Sequence, residues 1–167
     1  MGQAIVTILL WFSAISCGLI AGLYFAFSAF VMTALGRIDQ AAGISAMNAI
    51  NTSILRSLFM PIFFGSSVAS LLLALIAVFG WDSPGSAMML LGGVVYVAGM
   101  FVCTLIFNVP LNNELAAVDP ASPRGAEVWA RFLRDWTFWN HVRTVASTAA
   151  MALFIAAIAA RSGGLSG

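Results

Sequence analysis

Charged side chains are scarce in this sequence, which has seven basic and six acidic residues among its 167. Lysine is absent, and His141 is the single histidine. Hydrophobic residues make up 62% of the chain and charged residues 8%, whereas about 25% of residues are charged in soluble globular domains. A net charge of +1 without a basic tail predicts that the protein does not bind nucleic acid.

Residues that bind metals or redox cofactors are also few. The two cysteines, Cys17 and Cys103, fall within apolar runs and neither has a CxxC partner, which disfavours disulfide and zinc sites. One histidine cannot build a bis-His haem site or a three-His copper centre within one chain. The sequence therefore predicts no cofactor and no metal, with a single-His haem through His141 as the remaining alternative.

Four long apolar runs dominate the rest of the chain, at about residues 4–35, 58–79, 87–107 and 144–160. A helix needs about 20 apolar residues to cross a bilayer, and the runs lack the alternation of barrel strands. We therefore predict an all-α fold: a polytopic membrane protein that forms one domain, 1–167, as a four-transmembrane-helix bundle. Apolar residues at helical spacing also predict amphipathic helices at 36–57 and 124–143, preceding spans two and four.

The arginines predict the orientation of the bundle. The connections between spans one and two and between spans three and four hold six of the seven, and only Arg161 lies on the opposite side. Because basic residues concentrate in cytoplasmic connections, both termini are expected outside, most simply in a bacterial inner membrane. All six acidic residues lie outside the predicted spans, which disfavours a proton-coupled transporter.

Polar and aromatic side chains cluster where the third span ends and the fourth begins. The cluster comprises Asn108, Asn112, Glu114, Trp136, Trp139, Asn140, His141 and Arg143. Such groups are costly beside an apolar bundle unless they bind something, so the cluster predicts a site. The alternatives are helix capping for Asn112 and Asn113, a surface ion pair for Glu114, and interfacial anchoring for the tryptophans and Arg143.

Helical spacing indicates which of these residues share a face. Trp136, Asn140 and Arg143 fall on one stripe, whereas His141 lies about 160° around the helix from Arg143. On the first amphipathic helix, Asn48 and Asn51 are three residues apart and also share a face. The stripe is therefore predicted to point into the bundle, with His141 directed elsewhere.

Three motifs in this sequence resemble a known family. Asn108-Val-Pro-Leu-Asn112, followed by Trp136-x-x-Trp-Asn140-x-x-Arg143, is similar to the anthrone oxygenase-like membrane family, as is Met47-Asn48-Ala-Ile-Asn51. The resemblance implies a small four-helix membrane protein. It also implies oxidation of anthrones to anthraquinones with molecular oxygen and no recognised cofactor, the activity assigned to some fungal members.

The residues allow a hypothesis for that chemistry. Arg143 and Asn140 can stabilise an oxyanion, Trp136 and Trp139 can form a platform for aromatic rings, and His141 or Glu114 can take a proton. The amides are assigned to binding of the substrate, an aromatic or lipid-like small molecule, through Asn108, Asn112, Asn48 and Asn51. A non-catalytic membrane subunit or a lipid-binding scaffold remains the alternative function, and homo-oligomers are compatible with the sequence.

Overall fold

Long apolar runs fold as helices because a helix satisfies every backbone hydrogen bond within one segment. A computed structural model of the chain describes residues Gly2–Gly163, and 88% of it is helical without strands in that part of the chain. Five helices are present within these residues: α1 Gly2–Leu35, α2 Gln40–Ile54, α3 Phe59–Phe79, α4 Ser86–Ala116 and α5 Pro123–Gly163. All except α2 are long and apolar enough to cross a membrane, which confirms the predicted fold class.

The four long helices form a bundle in the cyclic order α1, α5, α4, α3. Helices that are neighbours in this order pack against each other, and the contact between α3 and α1 closes the ring. Small residues permit the close approach: a methyl group added at Gly18 of α1 would lie 2.9 Å from the Met151 sulfur of α5. The outer faces carry exposed apolar side chains such as Ile8, Leu19 and Leu75, as expected of a surface in contact with lipid.

A second apolar core lies where α2 covers one end of the bundle. Ile44 and Met47 of α2 are completely buried there, together with Leu115 of α4 and Phe132 and Trp136 of α5. Asp39 begins α2 by accepting a hydrogen bond from the Ala42 backbone N–H at 3.2 Å, a regular N-cap. The predicted amphipathic helix before span two is thus present as α2, which covers the end of the bundle.

The turn between α3 and α4 requires a glycine at position 85. Gly85 has a φ of +81°, and a Cβ added there would lie 2.9 Å from the Ala157 carbonyl oxygen of α5. A side chain is disfavoured by both the left-handed backbone and the close approach. This turn fixes how α3 and α4 meet α5 at the end of the bundle opposite α2.

Two of the long helices contain π-helical segments. These occur at Phe27–Val31 in α1 and at Val97–Val102 and Thr104–Asn108 in α4. The Val109 N–H donates to the Thr104 carbonyl, five residues earlier. The α-helical register of α4 is interrupted just before Pro110 by the last of these segments, and α4 then continues through the proline to Ala116. The helix is therefore longer than the predicted span 87–107.

Candidate functional site

Arg143 is a buried cation near the middle of α5. Only 4% of its surface is exposed. Its Nη2 donates to Asn140 Oδ1 at 2.8 Å and its Nη1 to Thr104 Oγ1 at 3.4 Å. Within residues 2–163 Arg143 forms no ion pair, and its Nε has no hydrogen-bond partner. The guanidinium therefore retains an uncompensated positive charge inside the bundle, which is costly without an anion.

Asn140 fixes the position of this guanidinium. Its Nδ2 donates to the Tyr24 carbonyl at 2.7 Å and to Ser28 Oγ at 2.8 Å. Both acceptors belong to α1: Ser28 lies within its π-helical segment and Tyr24 about one turn before it. Because both amide N–H groups are used by α1, the amide oxygen is oriented towards Arg143.

Aromatic rings surround the guanidinium. Its Cζ lies 4.2 Å from the centroid of the Tyr24 ring and 5.0 Å from that of Trp136, within the range of cation–π attraction. Phe27 and Phe132 pack against Trp136, with centroids 5.7 and 5.5 Å away. These rings partly offset the cost of burying the charge and form flat, apolar walls beside it.

A cavity of about 170 Å³ adjoins this group. Its walls are largely apolar and come from all five helices; the polar residues among them are Tyr24, Asn51, Thr104, Asn112, Trp136 and Arg143. An engineered cavity of about 150 Å³ holds a benzene molecule. The cavity therefore has room for about one aromatic ring, beside a fixed positive charge.

Four of the predicted site residues line the cavity: the binding residues Asn51, Asn112 and Trp136, and the catalytic residue Arg143. The predicted face of α5 is confirmed, since Trp136, Asn140 and Arg143 are buried and His141 is exposed. The third and fourth spans therefore contribute to one shared hollow.

Two other predicted amides support the walls of the cavity. Asn108 is buried and its Nδ2 donates to the Trp136 carbonyl at 3.2 Å. The Asn48 Nδ2 is 3.5 Å from the Leu115 carbonyl, where α2 meets α4. The structure thus places both amides behind the cavity surface.

Three predicted residues lie outside the cavity. Trp139 stacks on Phe107 with ring centroids 3.6 Å apart, and His141 is exposed. Glu114 forms ion pairs with Arg124 and Arg131 of α5, which is the surface alternative stated above. The described residues that line the cavity include no Asp, Glu or His.

Tyr24 and Thr104 belong to the site but are not among the residues that the sequence assigned to it. Both line the cavity and both contact Arg143. Tyr24 is one of only two tyrosines and lies within an apolar run, which is the one signal that singles it out. Thr104 has no such signal, because a threonine in an apolar helix commonly bonds only the backbone of its own helix. The Thr104 hydroxyl does donate to the Met100 carbonyl at 2.7 Å.

The sequence around this site matches a known protein family. The family model of anthrone oxygenase matches residues 55–153, more than half of the chain. The chain belongs to the anthrone oxygenase family. No curated protein and no solved structure matches it significantly.

The segment shared with the anthrone oxygenase family contains α3, α4 and most of α5. It therefore includes Thr104, Trp136, Asn140 and Arg143, whereas Tyr24 lies before it. Within residues 2–163 no group of three or more His, Cys, Asp and Glu side chains could hold a metal ion. The site that this chain builds within the family's segment thus consists of a cation, amides, hydroxyls and aromatic rings.

Proposed function

We propose that this protein is an integral membrane oxygenase that oxidises an anthrone-type phenolic aromatic with molecular oxygen. The observation that carries the proposal is Arg143, a buried guanidinium without a carboxylate partner among the described residues, beside a cavity with aromatic walls. An anionic oxygen on the ligand would supply the missing partner of the guanidinium, and a flat ring would fit between the aromatic walls. Membership of the anthrone oxygenase family supports the same class of substrate.

The oxidation balances without a cofactor. Loss of a proton from the central CH2 of the anthrone gives an enolate, and oxygen forms a new C–O bond at that carbon. After protonation of the peroxide, the carbon loses its second hydrogen as a proton and the O–O bond breaks. The products are the anthraquinone carbonyl and one molecule of water, so that oxygen accepts all the electrons released.

Arg143 supplies the electrostatic part of this reaction. A fixed cation in an apolar site stabilises negative charge much more strongly than water-exposed groups do. Binding the enolate in preference to the neutral anthrone shifts the substrate towards its reactive form. The proton is released to water, and neither His141 nor Glu114 acts as the base, because neither lines the cavity.

Asn140 and the aromatic walls supply positioning. Asn140 holds the guanidinium against Tyr24 and Trp136 through its bonds to α1. The rings of Tyr24 and Trp136 give a planar ligand a stacking surface. Because the volume of the cavity is close to that of one ring, the remaining rings of an anthrone extend into its open side.

The test is turnover by the purified protein in lipid nanodiscs. Anthraquinone absorbance and oxygen uptake are followed together for the wild type and for Arg143→Ala, Asn140→Ala and Arg134→Ala. Removal of one oxyanion donor typically lowers kcat about 10²- to 10³-fold, which is the expected effect of Arg143→Ala. Arg134 lies on the same helix but is exposed and paired with Asp135, so Arg134→Ala should retain full activity.

Retained turnover in folded Arg143→Ala and Asn140→Ala proteins would overturn the proposal. A non-catalytic binding protein would show ligand binding that depends on Arg143 but no oxygen uptake. The two functions are therefore separated by measuring both quantities on the same samples.

We propose an orientation of the bundle in the membrane as well. The end of the bundle with α2 carries five arginines besides the buried Arg143, so it faces the cytoplasmic side of a bacterial inner membrane, while both termini face outwards. Labelling of single cysteines placed at Arg37 and at Asp82, in a background without Cys17 and Cys103, checks this arrangement. Access to Asp82 from outside and to Arg37 only after permeabilisation is expected.

A further inference from the structure

The cavity beside Arg143 has one open side, and that side is apolar. Four residues that line the cavity are also exposed: Leu55 at 63%, Phe64 at 49%, Leu105 at 48% and Val109 at 37%. We call these four residues the apolar rim. They belong to the turn before α3, to α3 itself and to α4, so the opening lies in the crevice between α3 and α4.

Other directions of approach are covered. At the end of the bundle, Ile44 and Met47 of α2 are fully buried against Leu115 and Trp129. Asn48 bonds the Leu115 carbonyl across the same contact between α2 and α4. A ligand arriving from the water at this end would have to displace α2.

Aromatic rings close the crevice towards the middle of the bundle. The Phe101 ring lies 5.4 Å from that of Phe63 and 6.1 Å from that of Phe64, measured between centroids. The opening is therefore confined to the segment between this aromatic contact and the start of α3. Leu105 lies within an apolar stretch of α4, and Phe64 lies in the second turn of α3.

We infer that the cavity takes its ligand sideways from the hydrocarbon of the bilayer, through the apolar rim between α3 and α4. A route from water would be expected to have polar walls, whereas every residue of the rim is apolar. The substrate class is thus an aromatic molecule that dissolves in the membrane and carries one ionisable oxygen for Arg143. This inference rests on the proposed function and adds the source of the substrate.

A route can be tested separately from the site, because narrowing a route slows entry and exit equally. The probe is 4-nitrophenol, a one-ring phenol whose absorbance reports ionisation, mixed by stopped flow with protein in nanodiscs. Leu105→Trp should lower both the association and the dissociation rate about tenfold, while the equilibrium Kd stays within about twofold, since Kd is their ratio. Val109→Trp is the second variant, should Leu105→Trp fail to fold.

Ile106→Trp is the matched control. Ile106 is the next residue on α4 and is 57% exposed, yet it does not line the cavity. Both rates should therefore equal those of the wild type. Wild-type rates in a folded rim variant, or equal slowing by Ile106→Trp, would overturn the lateral route and leave the site intact. Failure of the wild type to bind the phenolate would overturn the site as well.

Discussion

Replacement of Arg143 by glutamine should abolish the preference of the cavity for an anionic ligand. Glutamine retains hydrogen-bond donors and a side chain of intermediate length but removes the charge. The perturbation is therefore mainly electrostatic, with the rings of Tyr24 and Trp136 left in place. The ligand for this test is 4-nitrophenolate, because its single ring suits a cavity of about 170 Å³.

The expected magnitude follows from the distance between the charges. A phenolate oxygen hydrogen-bonded to a guanidinium lies about 4 Å from the centre of its charge, which corresponds to about 4 kcal/mol at an effective dielectric constant of 20. That energy is a factor of about 10³ in Kd. The neutral analogue 4-nitroanisole has no such attraction, so its Kd should change less than about threefold in the variant.

Absorbance titrations in nanodiscs measure both affinities. Arg134→Gln on the same helix is the control, because Arg134 is exposed and should leave the Kd of the phenolate unchanged. Salt adds a second criterion, since buried charges are screened much less than exposed ones. Equal affinity of Arg143→Gln and the wild type for the phenolate would refute the assignment of Arg143 as counter-ion. An equal loss in Arg134→Gln would attribute binding to surface charge.

Three further predictions concern the base and the packing of the bundle. His141→Gln and Glu114→Gln should each leave anthrone turnover within about threefold of the wild type. A general base typically raises the rate about 10²-fold or more, so a loss of that size in either variant would show that its residue acts as the base. Gly85→Ala should lower the free energy of unfolding by at least about 1–2 kcal/mol, the cost of a left-handed backbone, and an unchanged thermal midpoint would contradict this. Gly18→Leu should destabilise the contact between α1 and α5 by about 1–3 kcal/mol. Gly22→Leu should not, because Gly22 has open space beside it. Equal thermal midpoints of the two variants would contradict the described packing.

Hydropathy and spacing predict the helices of this protein well, because they report burial within one segment. The four spans and the amphipathic helix α2 follow from these patterns. The length of α4 does not, since Pro110 normally ends or kinks a helix. A π-helical segment just before the proline allows α4 to continue to Ala116, and spacing alone does not reveal such a change of register.

The candidate site could be predicted only in part for a related reason. Periodicity places Trp136, Asn140 and Arg143 on the buried face of α5, but it does not say which helix lies opposite. Tyr24 is more than a hundred residues away in the sequence and meets Arg143 because α1 packs along α5. Glu114 shows the opposite error, since its position near a span suggested chemistry, whereas its carboxylate pairs with arginines at the surface.

The cost of burying Arg143 and the strength of the proposed site have the same origin. An apolar bundle offers little screening, so an unpaired guanidinium is expensive there and attracts an anion strongly for the same reason. Asn140 commits both amide N–H groups to α1 and its oxygen to the guanidinium, so the charge has few alternative positions in which to relax. A ligand that supplies the missing negative charge removes part of that cost on binding. Bound ligand should therefore stabilise the bundle by an amount that rises with the logarithm of the ligand concentration above its Kd, and a neutral aromatic of the same shape should do so far less.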